Sequence, residues 1–330
     1  MNKMTIADIA EALGISKTTV SRAISGKGRI SAGTTERVLQ YIHEHNYTPS
    51  AVARGLAEQK TYNIAVVCPK EYEIFRLPYY HSCLYGISEI TGSKNYDILI
   101  SMTDDKDFRN LKRAVDNRKI DGVILTRSLM DDRAAQYLKE TGMPFVVIGR
   151  SNDPEVVQID NDHVEACREL TSILIGKGCR KLALIGDEYT HTVAYTRLQG
   201  FRKAFQSAGI QADESLIYLN ADSEQRISDI LDELMNRRAD GIVCMDEKIA
   251  AAALVLCRAK HIMIPGDIKL ASFYNSQFLS RSDPAVTALD LDDTRLGAVA
   301  AATLLEMIEG KSPGSRFLKN YQIILRESTA

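Results

Sequence analysis

The stretch "ADIAEALGISKTTVSRAISGKG", positions 7–28, holds two short helical patterns separated by the tripeptide "GIS". Apolar residues around the first pattern follow the i, i+3, i+4, i+7 spacing of one helix face: Ile6, Ile9, Ala10 and Leu13. The second pattern is rich in Ser, Thr, Lys and Arg. A core helix needs bulkier side chains, and a purely solvated helix usually carries Glu and Lys, so neither role explains this composition.

Residues at the ends of these patterns predict three helices with defined caps. Thr5 and Asp8, three residues apart, predict a capping box, and Gly14 predicts a left-handed helix end. Ser16 and Ser31 are expected to cap the second and third helices. The inner faces of those two helices are expected to hold Val20, Ala23, Ile24, Val38 and Ile42. Three short helices with a tight turn between the first two predict a small all-α helix-turn-helix head.

A helix-turn-helix explains the polar composition of the second helix, because its outward N-terminal residues enter the DNA major groove. These residues are Lys17, Thr18, Ser21 and Arg22. Arg22 can donate two parallel hydrogen bonds to a guanine edge. Short hydroxyl side chains near the helix starts are expected to contact DNA, chiefly phosphate oxygens: Thr5, Ser16, Thr19, Ser31 and Thr34. The alternative is a solvated helix whose Ser and Thr side chains serve only as caps.

The charge distribution separates the first sixty residues from the rest of the 330-residue chain. Residues 1–60 contain eight Lys and Arg against five Asp and Glu, a net charge of +3. The remaining residues carry 33 against 38, a net charge of −5. A basic head on an acidic body is typical of a small DNA-contacting module attached to a larger domain.

The segment "NYTPSAVARGLAEQKT", positions 46–61, predicts a short conditional helix. Pro49 can occupy its first position, and Gly55 costs about 1 kcal/mol relative to Ala. Such a helix is marginal alone and needs a partner helix or DNA. Its apolar stripe comprises Val52, Ala53 and Leu56. This stripe predicts insertion into the minor groove, with Leu56 as a wedge between base pairs.

From Tyr62 onward, short β-branched runs alternate with amphipathic stretches of helical length, as in "NIAVVC", "YDILIS", "DGVILT" and "FVVIG". This rhythm predicts parallel sheets with helices on both faces. The runs "KIDGVILT" and "RADGIVCM" echo each other, which predicts two similar halves. Ligands of such sheets bind at the carboxyl ends of the strands, so two facing halves would form a cleft.

The runs "TIADIAEALGISKTTVSRAISGKGRIS" and "YTPSAVARGLA" resemble the lactose-repressor (LacI/GalR) family, and the resemblance covers the whole chain. It implies a homodimeric bacterial repressor whose hinge helices pair in the minor groove of a palindromic operator. It also implies a periplasmic-binding-protein-like α/β body of two doubly wound parallel-sheet subdomains. Effector-driven closure of the two halves would change the pairing of the hinge helices, so that effector binding and DNA binding are thermodynamically linked.

The resemblance implies a definite domain organisation, with chain crossings near Asp160–Asp162, near Asp290 and near Leu318–Tyr321. The head would span 1–48, the hinge helix and linker 49–61, and the effector-binding and dimerisation body 62–330. Within the body, the first subdomain would comprise 62–160 plus 291–319, and the second 161–290 plus 320–330.

Candidate effector-binding residues follow the predicted strands of the body. Aromatic rings can stack on the apolar faces of sugars, while Arg and carboxylate side chains suit vicinal hydroxyls. The predicted set is Phe75, Tyr79, Tyr80, Arg127, Arg150, Arg197, Asp246, Tyr274 and Asn275. Asp187 is a further strand-end residue, and Arg197 matches the effector-contacting arginine of the family. The alternative for each is a surface-loop residue or a subunit contact.

One departure from the family concerns the segment after the "KLAS" strand. Many sugar-responsive members carry an aspartate there, whereas this chain has Tyr274 followed by Asn275. The charged side chain that would bind a sugar hydroxyl is therefore missing, which argues against galactoside-like recognition. The runs "FVVIGR", "QIDNDH" and "SFYNS" resemble the maltose-operon repressors of Gram-positive bacteria, which favours maltose or a maltodextrin as effector.

Other functions are less consistent with the sequence. It has no GxGxxG after a strand, no P-loop, no HExxH and no GxSxG, and its six histidines are scattered. We therefore predict no enzymatic activity, no catalytic residue, no cofactor and no metal. A transport protein that binds sugar is disfavoured by the DNA-reading head. A global catabolite regulator that senses a phosphoprotein partner stays open.

The six cysteines are far apart and form no CxxC pair, which predicts buried free thiols and a reducing cytoplasm. The N-terminal run has no apolar core for a signal peptide, and no stretch is long enough for a membrane span. No heptad tail follows Arg326, so a dimer is expected rather than a tail-linked tetramer.

Overall fold

The computed structural model divides into two compact units, Met1–Thr61 and Tyr62–Ala330. The structure describes residues 4–25, 28–45, 47, 55, 58–70, 78–104, 107–129, 131–186, 192–219 and 221–330. Several predicted residues lie outside this description: Pro49, Val52, Ala53, Leu56, Phe75 and Asp187.

The first unit contains three helices with the predicted caps: α1 (Ile6–Leu13), α2 (Lys17–Ser25) and α3 (Ala32–Glu44). Thr5 and Asp8 form a capping box, in which the Thr5 amide donates to Asp8 Oδ2 at 2.7 Å. Gly14 ends α1 with φ of +65°, a conformation that costs glycine little. The Ser16 and Ser31 hydroxyls each accept the backbone N–H three residues ahead, both at 3.1 Å.

A small apolar core joins the three helices of the first unit. Ile9 of α1, Val20 of α2 and Val38 of α3 are fully buried, and Ala10 and Ala23 are nearly so. The predicted core residues Ile24 and Ile42 are partly buried against this cluster. The side chains of Lys17, Thr18 and Arg22, on the opposite face of α2, do not belong to this core, in agreement with the helix-turn-helix prediction.

The second unit contains two six-stranded sheets. The strands of the first sheet are β1 (Asn63–Pro69), β2 (Asp97–Thr103), β3 (Gly122–Leu125), β4 (Phe145–Ile148), β5 (Gln158–Asn161) and β11 (Arg316–Leu318). Those of the second are β6 (Leu182–Ile185), β7 (Ile217–Tyr218), β8 (Gly241–Cys244), β9 (Lys269–Ser272), β10 (Thr287–Leu291) and β12 (Tyr321–Ile324).

Helices connect these strands. They are α4 (Pro78–Ser93), α5 (Arg109–Asp116), α6 (Arg133–Thr141), α7 (His163–Gly176), α8 (Thr192–Ser207), α9 (Glu224–Asn236), α10 (Glu247–Ala259), α11 (Gln277–Arg281) and α12 (Asp293–Ile308). Within the described ranges, none of the helices is long and apolar enough to cross a membrane. All six cysteines are buried free thiols, as predicted.

The two sheets share one doubly wound order. The first runs β2-β1-β3-β4-β5-β11 and the second β7-β6-β8-β9-β10-β12. Every pair in the first sheet is parallel, whereas β12 runs antiparallel to β10 at the edge of the second. This order places a topological switch point beside β1 and another beside β6, where ligands of such sheets bind. The predicted fold class is confirmed.

The chain passes between the two sheets three times: after β5, after β10, and between β11 and β12. Helix α12 follows β10 of the second sheet, yet it packs against α4 and against β3, β4 and β5 of the first. Its first residue, Asp293, therefore lies where the chain leaves one subdomain for the other.

Glycines allow α4 and α12 to approach closely. A Cβ atom added at Gly86 of α4 would overlap the Thr294 carbonyl oxygen, and one added at Gly297 of α12 would overlap the Cys83 carbonyl oxygen. The obstacle is backbone in both positions, so no side-chain rotation can relieve it. This helix pair fixes the position of Asp293 relative to the first sheet.

Candidate functional site

The outer face of α2 carries the residues predicted to read DNA. Lys17, Thr18 and Arg22 are exposed, and Ser21 is partly buried. Val20 and Ala23 hold the opposite face of the helix in the core. The face presents two cations and two hydroxyls, which is the chemistry required for contacts to phosphates and base edges.

The five hydroxyl side chains predicted to contact phosphate each have a hydrogen-bond partner within the first unit. The Ser16 hydroxyl lies 2.9 Å from the Thr19 hydroxyl, and that of Ser31 lies 2.7 Å from that of Thr34. The Thr5 hydroxyl donates to Asp8 at 2.9 Å. Capping accounts for these five side chains in the absence of DNA, and a phosphate contact would be an additional role.

A cavity of about 250 Å³ lies at the carboxyl ends of both sheets of the second unit. Thr126 directly follows β3, Gly149 follows β4 and Met245 follows β8. The lining residues that carry polar or aromatic side chains are Tyr79, Tyr80, Thr126, Arg127, Ser128, Asp160, Asn161, His163, Arg197, Asp246, Glu247, Lys248, Tyr274 and Asp293. Both switch points of the double fold thus contribute to one cavity.

Two tyrosines at the start of α4 provide an aromatic wall. The rings of Tyr79 and Tyr80 lie edge to face with centroids 4.9 Å apart. The Tyr79 hydroxyl donates to the Thr126 carbonyl at 3.0 Å, which fixes the ring against the end of β3. Burial raises the pKa of Tyr79, so its hydroxyl stays protonated. Rigid rings of this kind suit the apolar face of a ligand.

Arg197, on α8, is only 9% exposed. One of its Nη atoms donates to the Met245 carbonyl at 2.6 Å, which directs the guanidinium toward the end of β8. The adjacent Asp246 lines the same cavity and also caps α10, where it accepts the Ile249 amide at 2.9 Å. Asp246 therefore has a structural role in addition to any ligand contact.

Tyr274 and Asp293 form a hydrogen bond between the two subdomains. Tyr274 follows β9 of the second sheet, and its hydroxyl donates to Asp293 Oδ2. Asp293 is only 4% exposed. Burial raises the pKa of Asp293 to about 7. The hydrogen bond from Tyr274 and the positive charge of Arg197 lower the pKa but do not offset the effect of burial. A carboxyl group that titrates near neutrality therefore lines the cavity.

The first chain crossing contributes a second polar cluster. Asp160 and Asn161 end β5, and His163 begins α7. Asp160 Oδ1 accepts the Asn161 amide at 2.9 Å and lies 3.5 Å from His163 Nε2, while Oδ2 lies 3.2 Å from Arg150 Nε. The carboxylate of Asp160 is thus fully engaged, whereas the side chain of Asn161 is not.

Five buried polar atoms of this cavity have no hydrogen-bond partner within the described part of the chain: both side-chain atoms of Asn161, His163 Nδ1, Arg197 Nε and Asp293 Oδ1. Leaving a buried polar group unpaired costs about 1–3 kcal/mol. Such groups are rare in folded proteins and call for an explanation. Ordered water or a polar ligand in this cavity would supply the missing partners.

Eight residues of the predicted effector set are described, and six of them line the cavity. Tyr79, Tyr80, Arg127, Arg197, Asp246 and Tyr274 line the cavity, whereas Arg150 and Asn275 do not. The Arg150 guanidinium lies 3.7 Å from the centroid of the Phe317 ring. Asn275 donates to Asp290 at 2.8 Å and accepts from Arg326 at 3.0 Å. These two side chains act on neighbouring segments rather than on the cavity.

Sequence reasoning missed Asn161, His163 and Asp293. A signal was present, because "QIDNDH" and "LDLDDT" both place polar residues directly after an apolar strand and at a chain crossing. Among the described residues, no group of three His, Cys, Asp or Glu side chains could hold a metal ion.

Comparisons with known proteins identify the families that the two units resemble. Residues 5–50 match "Bacterial regulatory proteins, lacI family", and residues 171–329 match "Periplasmic binding protein-like domain". The chain is 30% identical to the HTH-type transcriptional regulator MalR of Streptococcus pneumoniae, over 99% of this chain and 98% of that protein. It is 27% identical to catabolite control protein A of Staphylococcus aureus, over 91% of each chain.

The solved structure of a complex of the transcriptional regulator CelR with cellobiose is also similar. Its TM-score is 0.74 at 26% identity, over 98% of this chain and 99% of that one. The relatives are transcriptional regulators and not enzymes, in agreement with the sequence prediction. The chain belongs to the LacI family of DNA-binding bacterial transcriptional regulators.

Proposed function

We propose that this regulator represses carbohydrate-utilisation genes and is switched by a saccharide bound in the cavity of the second unit. It binds a palindromic operator as a homodimer, and saccharide binding changes its affinity for that operator. Maltose or a maltodextrin is the preferred candidate, on the resemblance to maltose-operon repressors.

The unpartnered polar atoms of Asn161, His163, Arg197 and Asp293 are the observation that carries the saccharide proposal. A saccharide presents many hydroxyls, each of which can both donate and accept a hydrogen bond, and it has apolar ring faces that suit an aromatic wall. The related regulator CelR forms a complex with cellobiose, which supports a disaccharide as the class of ligand.

Thermal unfolding of the full chain with a panel of mono- and disaccharides tests the saccharide proposal. A ligand present at 100 times its Kd stabilises the native state by about 2.7 kcal/mol. We expect maltose to raise the melting temperature and monosaccharides to do so less. If no saccharide has an effect but a phosphorylated carrier protein does, the regulator senses a protein partner instead.

The exposed face of α2 supports operator reading by Lys17, Thr18, Ser21 and Arg22, with phosphate contacts from the capping hydroxyls. The proposed hinge residues Val52, Ala53 and Leu56 complete the interface in the minor groove. Effector contacts are proposed for the cavity-lining members of the predicted set and for Phe75.

Replacing Arg22 by alanine is expected to relax sequence discrimination by about 1–3 kcal/mol, because a bidentate contact to a guanine edge is lost. The measurement is a gel-shift titration against an operator selected from a random-sequence library and against single-base variants of it. Lys17→Ala is the matched comparison, since loss of a phosphate contact weakens all sequences alike. Unchanged discrimination in Arg22→Ala would refute its reading role.

A homodimer is supported by exposed apolar side chains on the second subdomain. Phe278 of α11 is 53% exposed and Val255 of α10 is 58% exposed, in a groove that also contains Arg258, Arg281 and Asp283. Apolar groups with charges of both signs on one face are self-complementary, as a two-fold interface requires. Sedimentation equilibrium of the full chain should report a dimer; a monomer at operator-binding concentrations would contradict it.

A further inference from the structure

The aspartate that the family resemblance implies after the "KLAS" strand is absent from this chain, where Tyr274 occupies that position. The structure shows where a carboxylate is found instead. The Tyr274 hydroxyl donates to Oδ2 of Asp293, a residue more than 15 positions later, at the start of α12. Both side chains line the cavity.

We propose that Asp293, oriented by Tyr274, is the charged acceptor that selects an effector hydroxyl in this regulator. The inference rests on the proposed saccharide function and names the residue that sets its specificity. Oδ2 is occupied by Tyr274, while Oδ1 is buried and has no partner in the described ranges. A ligand hydroxyl donating to Oδ1 would pair that atom.

Arg197 provides a hydrogen-bond donor in the same cavity, whereas Asp293 provides an acceptor. Its Nε is a buried donor without a described partner, and its charge acts on Asp293. A donor and an acceptor facing one cavity match two neighbouring hydroxyls, one accepting from Arg197 and the other donating to Asp293. Pairing with a saccharide would also favour the ionised carboxylate, because each hydrogen bond to the charged form stabilises it.

Calorimetric titration of the full chain with maltose, cellobiose and their monodeoxy analogues tests the assignment. The wild-type protein should discriminate against one deoxy analogue by about 10–100-fold, the value of a hydrogen bond to a charged group. Asp293→Ala should weaken binding of the parent sugar by a similar factor. The variant protein should bind the parent sugar and the disfavoured deoxy analogue with equal affinity. Asp229→Ala, at an exposed carboxylate on α9, is the matched control and should leave both values unchanged.

The pH profile separates a ligand contact from a structural role. Between pH 6 and 8, affinity for the parent sugar should rise about tenfold, since a group with a pKa near 7 is mostly ionised only at the upper value. Asp293→Asn, which keeps the shape, should abolish this rise. Tyr274→Phe should move the midpoint upward, because it removes a hydrogen bond that lowers the pKa of Asp293.

Other titratable or charged groups face Asp293 or share its cavity: Tyr79, Tyr80, Cys83, Arg127, Asp160, His163, Arg197, Asp246, Glu247, Lys248, Tyr274, Asp290 and Asp292. They remain in Asp293→Asn, so the difference between the two profiles isolates Asp293. Wild-type discrimination retained in Asp293→Ala, or equal weakening of every analogue, overturns the inference. If no saccharide binds the wild-type protein, the proposed function fails and the inference with it.

Discussion

Replacing Arg197 by methionine is expected to abolish the response to the effector while operator binding is retained. Methionine keeps much of the aliphatic stem but removes the donor to the Met245 carbonyl, the unpaired Nε and the charge beside Asp293. Truncating one partner of a buried charged contact costs about 2–5 kcal/mol, which corresponds to roughly 30–5,000-fold in affinity. The response would then require roughly 30–5,000-fold more effector than in the wild type.

The measurement is operator affinity of the Arg197→Met protein with and without the saccharide that stabilises the wild type. Arg202→Met is the matched control, because Arg202 lies on the same helix and pairs with Glu214 at the surface. Its response should equal that of the wild type. A full effector response in Arg197→Met would remove Arg197 from the site, whereas loss of operator binding without effector would indicate misfolding.

Substituting alanine for Gly86 is expected to destabilise the second unit by about 3 kcal/mol or more, because overpacking against backbone forces α4 and α12 apart. The added Cβ would overlap the Thr294 carbonyl of the facing helix. Since α12 begins with Asp293, the same shift should also weaken effector binding. Urea unfolding followed by circular dichroism measures the loss of stability.

Gly92 of the same helix provides the control, because a Cβ there meets no atom within 4 Å. Gly92→Ala is expected to leave stability unchanged or to raise it by up to about 1 kcal/mol, from the helix preference of alanine alone. Equal stabilities of the two alanine variants would contradict the assigned contact between α4 and α12.

Local sequence signals predicted the elements of this fold well. The cap at Thr5, the left-handed end at Gly14 and the buried Val20 depend on residues within a few positions of each other, so their chemistry is visible in the sequence. Alternation of strands and helices predicted parallel sheets for the same reason. The antiparallel edge strand β12 was not predicted, because its partner β10 lies thirty residues away and no local pattern specifies the direction.

The candidate site was harder to predict because it is assembled from distant segments. Arg197 and Tyr274 were found through family resemblance and their positions after strands. Asp293 was missed, since its role depends on its contact with Tyr274 and on its burial. The residues next to it in the sequence predict neither of these. Asn275 was predicted from its position next to Tyr274, but its side chain contacts Asp290 and Arg326 instead.

The central claim is that a saccharide in the cavity controls operator affinity, and the most direct test is one linkage measurement. Operator affinity of the wild-type full chain is titrated by fluorescence anisotropy at fixed salt, with and without saturating maltose or the most stabilising sugar of the panel. Coupling between two sites is typically worth 1–3 kcal/mol, so the account predicts a change of about 5–150-fold. A saccharide that binds the protein but leaves operator affinity unchanged would contradict it.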